Sequence, residues 1–130
     1  MARLVLHLPA VPASVTQSRH QLSDWLDGVG FDLGARTRDD LLVVVTELVT
    51  NGVLHDGGAP IAVCADADPG GVTVDVETAD RCAGAPQFRE ATDVSETGRG
   101  LAIVGALSDA VTTEIGDGRR RVTCRLARRP

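Results

Sequence analysis

The stretch "TRDDLLVVVTELVTNGVLH", residues 37–55, decides the fold. Its middle, "LLVVV", is β-branched and by composition suits a buried strand. Three features favour a helix instead. Thr37 followed by Asp40 resembles a capping box. The segment is long for a strand. Asp40, Glu47, Asn51 and His55 fall near one stripe at the i, i+4 spacing that only a helix turns into a face. Apolar residues flank the stripe, so the helix is expected to pack on two sides. The stripe is then a row of carboxylate, carboxamide and imidazole on an element that otherwise reads as core.

Working outward, "RLVLHL" (residues 3–8) alternates as a strand does. "PASVTQSRHQLSDWLDGVG" places Val15, Leu22, Leu26 and Val29 on one helical face, with Ser14 as the expected cap and Gly30 as the expected stop. Beyond the central helix, "PIAVCADA" and "GVTVDVETAD" flank the turn "DPGG" and read as a hairpin. "CAGAPQFREATDVSETG" reads as a loop and "RGLAIVGALSDA" as a helix. "VTTEI" and "RRVTCRLA" around "GDG" read as a second hairpin. The order β-α-α-ββ-α-ββ predicts one α+β domain over residues 1–130. It is a two-layer sandwich, a mixed, mostly antiparallel sheet covered on one face by three helices.

Composition narrows the chemistry. The 130 residues carry a formal charge of −5, so the surface as a whole is not built to bind nucleic acid. No apolar run reaches the ~18 residues of a membrane span, and the short N-terminal apolar stretch is broken by His7, Pro9 and Pro12. A cytoplasmic chain is expected. The 3 cysteines, Cys64, Cys82 and Cys124, lie far apart with no C-x-x-C, which predicts reduced thiols and no structural metal. Every basic residue is arginine, so a lysine-based phosphate loop is ruled out. Six of the arginines lie in "RRRVTCRLARRP", residues 119–130. That segment reads either as a solvated edge strand and tail or as a basic patch for an acidic partner.

Three motifs could carry chemistry. Glu47 and Asn51, one helical turn apart, present oxygens that can orient a hard cation, and a glutamate beside a phosphate can deprotonate a nucleophile. His55 lies one turn further on, within reach of a phosphate. In "ADRCAGAP", residues 79–86, an acid at a strand end can accept from an exocyclic amine, and Gly84 lets backbone approach a flat base. In "TGRGLAIV", residues 97–104, a G-x-G at a helix start offers free N–H groups to a phosphate. Each motif is weak by itself. Their order and spacing together make a nucleotide cradle.

That set resembles the ATP-binding superfamily of gyrase B, the ninety-kilodalton heat-shock chaperone, MutL and the histidine kinases, and within it the small anti-sigma-factor serine/threonine kinases. "ELVTNGVLH", "DRCAGAP" and "TGRGLAIV" correspond to the family's three boxes, and the likeness runs from about residue 10 to residue 127. The resemblance implies a histidine-kinase-like ATPase fold with ATP and Mg²⁺ as cofactors. Asn51 would ligate Mg²⁺ and Glu47 would be the catalytic carboxylate. Asp80 would meet the adenine amino group, with Gly84 beside the base. Gly98, Arg99, Gly100 and Leu101 would hold the phosphates, with His55 near them and Thr123 on the last strand near the adenine. The implied partners are a sigma factor and an anti-sigma-factor antagonist, with no direct nucleic acid or membrane contact and room for a homodimer. The chain departs from the pattern at Cys82, where the family has glycine, and at Arg121, where it often has threonine. The competing function is a non-catalytic, nucleotide-gated protein-binding regulator.

Overall fold

The computed structural model describes residues 2–55, 59–79 and 96–130, with backbone alone at His55 and at 96–100. Strand β1 spans Ala2–Leu8, helix α1 Ala13–Asp27, helix α2 Ala35–His55, strands β2 Ile61–Asp68 and β3 Gly71–Ala79, helix α3 Glu96–Leu107, and strands β4 Ala110–Gly116 and β5 Arg119–Ala127. The strands form one sheet in the order β1-β2-β3-β5-β4, and every pairing is antiparallel. The expected two-layer α+β arrangement is what the backbone forms, without a parallel pair among the described strands.

Alternation divides the sheet into two faces. Leu6 and Leu8, Ile61, Val63 and Ala65, Val72, Val74 and Val76, and Val122, Cys124 and Leu126 point into one core with Leu22, Leu41, Val44, Val45, Leu48 and Val49 of the helices. The opposite face is open. It carries Arg3, Asp66, Asp75, Glu77, Arg121 and Arg125, which pair across strands: Arg3 with Asp66 at 2.9 Å, and Arg119 and Arg121 with Glu77 at 3.3 and 3.5 Å. A sheet can leave one face in water only if that face reads polar, and here it does.

Helix α2 is the central element. It packs against α1 on one flank, α3 on the other and β3 beneath. That is the two-sided burial its apolar flanks predict, and it outweighs the β propensity of "LLVVV". Thr46 and Thr50 return their hydroxyls to the carbonyls of Leu42 and Thr46 at 2.7 and 2.6 Å, which keeps both polar groups satisfied inside the helix.

Four local expectations differ from the structure. Ser14 does not cap α1; the cap position is Pro12, and the Ser14 hydroxyl donates to Pro9 O at 2.6 Å. Ser14 and Ser18 instead continue the buried face of Leu22 and Leu26, and the helix ends at Asp27, capped by the N–H of Gly28 rather than by Gly30. Thr37 is not the cap of α2 either. The helix begins two residues earlier, and the buried Thr37 hydroxyl donates to Ala127 O at 2.9 Å while accepting from Arg129 N–H at 2.6 Å. Finally, β5 is not an edge strand but lies between β3 and β4.

The arginine-rich end is consequently tied down. Arg128 bonds Asp32 O at 2.8 Å, Arg129 meets Asp109 at 2.6 Å, and Asp109 also accepts from Ala127 N–H at 2.7 Å. Those two bonds hold the Asp109 carboxyl below its ordinary range. Gly34, at φ +88°, lies where a Cβ would fall 1.8 Å from Arg129 O, so only glycine fits under the strap formed by residues 127–130.

Candidate functional site

The polar stripe of α2 survives folding as a feature. Glu47 and Asn51 lie one turn apart and are both half-buried, between residues that are fully buried. Neither side chain has a hydrogen-bond or ion-pair partner among the described residues. Both side chains keep part of their surface in water, so their oxygens can be reached from solvent. Asp40, at the other end of the stripe, lies 4.0 Å from Arg36 and takes no part in this pair. His55 is the last residue of the helix.

Gly52 explains how the stripe comes close to the sheet. It is buried, and a Cβ there would fall 2.7 Å from Thr78 Cγ2 and 2.9 Å from Ile61 Cδ1. The missing side chain lets the end of α2 settle directly onto the ends of β2 and β3. Strand β3 ends at Ala79, so Asn51 lies near the end of the strand after which the second motif begins in the sequence. Gly52 is the positional residue that reading the stripe alone passes over. Its sequence signal is a glycine inside an otherwise strong helix, which marks close packing. Asp80 and Gly84 themselves lie outside the described residues.

The second glycine motif joins the same neighbourhood through α3, which packs against α2. Leu101 is half-buried against the core and Val104 fully buried, which fixes the helix by its inner face. The described helix already contains Gly98, Arg99 and Gly100, so it reaches back at least to Glu96 rather than beginning at Arg99. The N–H groups left unused by a helix are those of its first four residues.

Thr123 is placed elsewhere. It lies opposite Asp75 on β3 and Thr112 on β4, on the open face of the sheet, as does Arg121 opposite Glu77 and Glu114. The structure brings Glu47, Asn51, Leu101 and the start of α3 to the helix side and leaves Thr123 on the other. On β5 the residues that share the face of Thr78 are Arg120 and Val122. The open face has a depression of about 150 Å³ lined by Arg3, Asp66, Asp68, Thr73 and Arg125. Its charges already pair with one another, and it lies on the side of the sheet away from α2 and α3. Among the described residues no cluster of three or more His, Cys, Asp or Glu side chains could hold a metal ion. No helix among them is long and apolar enough to cross a membrane.

Comparison with known proteins agrees with this geometry. The fold is shared with the crystal structure of the RsbU and RsbW domains of a Mycobacterium tuberculosis protein, at a TM-score of 0.75 and 24% identity, over 100% of this chain and 34% of that one. It is shared more distantly with the Acinetobacter baumannii histidine kinase AdeS, at a TM-score of 0.53 and 13% identity, over 100% of this chain and 70% of that one. The chain thus spans about a third of the first of these proteins. No curated protein sequence matches it significantly. The family model described as the histidine kinase-like ATPase domain matches residues 8–126, so this chain belongs to the histidine kinase-like ATPase domain family.

Proposed function

We propose that the chain is an ATP-binding protein kinase of the anti-sigma-factor type, which binds a sigma factor and phosphorylates a serine or threonine of an antagonist protein. The observation that carries this reading is the pair Glu47 and Asn51, half-buried, one turn apart and without a partner among the described residues. Their donor set fits a hard cation. Asn51 would hold Mg²⁺, which when bound neutralises charge on the phosphates. The N–H groups at the start of α3, reinforced by the helix dipole, would take the phosphate oxygens. Glu47, on the same face as Asn51, would accept the proton of the attacking hydroxyl. Asp80, following β3, would accept from the adenine amino group, with Gly84 allowing the base to approach. Most of the rate gain in such transfers comes from positioning and charge neutralisation. A rigid α2, packed on three sides, suits that task.

The family membership and the RsbW-containing structural neighbour support this reading of the fold. Cys82, standing where the family has glycine, favours the second reading, in which nucleotide gates protein binding without phosphoryl transfer. Calorimetry with ATP, with and without Mg²⁺, tests nucleotide binding. Labelled phosphate transfer to candidate antagonist proteins then separates the two readings. Binding without transfer to any antagonist leaves the gated module; no binding with either defeats both.

A further inference from the structure

The helix side of the sheet changes character at one end. On β1, β2, β3 and β5 every residue of that face is apolar or, at Cys124, a buried thiol, with two exceptions. These are Thr78 and Arg120, which lie directly opposite one another. Arg120 is half-buried, and its Nε is fully buried. Helix α2 lies over β3 and β5, while α3 packs on α2 and β4, so β5 runs beneath the seam between the two helices. Val122, Cys124 and Leu126 line that seam as core. Helix α2 begins beside Ala127 and by Gly52 has reached Thr78. Arg120 therefore stands in the floor of the seam at the end that carries Asn51, the residue before Gly52. Arg119, Arg121, Thr123 and Arg125 face the other way, which leaves Arg120 as the one charge that β5 turns toward the helices.

Arginine has donors and no acceptor, and its charge is permanent. Whatever it meets in the site must accept. The ATP-binding reading, on which this inference rests, gives the amino group of adenine to Asp80, two residues past Thr78 in the sequence. The atom beside that amine on the pairing edge of the base is the ring nitrogen N1, an acceptor. A carboxylate suits the donor of this pair, and a guanidinium suits the acceptor. We propose that Arg120 is a base-reading residue of the nucleotide site, donating to N1 of adenine while Asp80 accepts from the amino group. A base that offers no acceptor at N1 would leave the guanidinium short of a partner at the point of contact, and affinity would fall.

Binding of ATP and of 1-deaza-ATP, in which N1 is replaced by carbon and the amine is kept, tests the contact in the full chain. Wild type should prefer ATP by roughly ten- to hundredfold, the worth of a charge-assisted hydrogen bond. Arg120→Met, folded by circular dichroism, should bind ATP more weakly by a similar factor and no longer distinguish the two. AMP should lose as much as ATP. A loss that grows from AMP to ATP puts the guanidinium on the phosphates and overturns the proposal, as does a variant that keeps the preference. A readout on the wild type needs no variant: the signal of the buried Arg120 Nε–H in nitrogen-15 spectra should move on addition of AMP, and a signal that stays in place overturns the contact. Wild type that binds ATP and 1-deaza-ATP alike defeats this inference and leaves the ATP-binding reading standing. Wild type that binds neither defeats both.

Discussion

Glu47 and Asn51 sit on neighbouring turns of one helix but are expected to fail in different ways. Glu47→Gln keeps the size of the side chain but removes the base. Nucleotide affinity should hold while phosphate transfer falls by about 10²–10⁴-fold, read by labelled transfer beside an ATP titration. Asn51→Ala removes the oxygen offered to the cation, and the Mg²⁺ dependence of ATP binding should disappear in calorimetry. Gly52, the residue after Asn51, is a packing residue. Gly52→Ala puts a methyl 2.7 Å from Thr78 Cγ2 and 2.9 Å from Ile61 Cδ1. Overpacking of this kind costs about 1–3 kcal/mol, and a fall in the urea midpoint with unchanged slope would register it. The polar stripe was legible in the sequence because i, i+4 spacing is local information. The face of Thr123 was not, because one residue's shift in strand register reverses it and register is set by partners far away in the chain.

At the scale of elements, helices and hairpins declare themselves through short-range chemistry. The turn between β4 and β5 is Asp117-Gly118, both at positive φ, the backbone that a two-residue Asp-Gly loop favours. The lateral order of strands is a different kind of fact. Nothing within residues 119–127 says that β5 lies beside β3, forty-odd residues back in the chain, and its arginines resemble those of a solvated edge. The capping expectations for Ser14 and Thr37 went astray for a related reason. Both hydroxyls found stronger uses in tertiary contacts, with Pro9 O for Ser14 and with Ala127 O and Arg129 N–H for Thr37. Thr37→Val keeps the shape and leaves those backbone groups short of a partner. The expected loss is about 1–3 kcal/mol, measured by denaturant unfolding. A loss near zero would mean that the strap does not hold the start of α2.

Over the whole molecule, the open face is a balance of charges that pH can tilt. Asp75 is the most constrained of its acids. Partial burial raises its carboxyl above the ordinary 3.8, against the pull of Arg121. The folded protein then holds a proton on Asp75 over a pH range in which the unfolded chain has lost it. The contribution of this group to stability consequently declines as pH rises from 3.8 through the raised value. Asp75→Asn removes the dependence. The variant should melt higher than wild type at neutral pH, and the difference should shrink once the pH falls below 3.8. Melting curves across that window check it. A variant that melts lower at neutral pH would show that attraction to Arg121 outweighs desolvation at this site.

The central place of β5 also has a consequence for how the protein is made. During synthesis the meander β1-β2-β3 leaves the ribosome first, with the hydrogen-bonding edge of β3 bare, and α2 emerges before the residues that strap its start. The strand that fills the gap is the last strand of this sheet to be translated. Until it arrives, Val72, Val74 and Val76 lack the neighbours Val122, Cys124 and Leu126 that complete their layer. A nascent chain stalled before Arg119 would therefore present the bare edge of β3 with its apolar layer incomplete, a state that invites chaperones or aggregation. Late closure of so distant a pairing should make the domain a slow folder for its size.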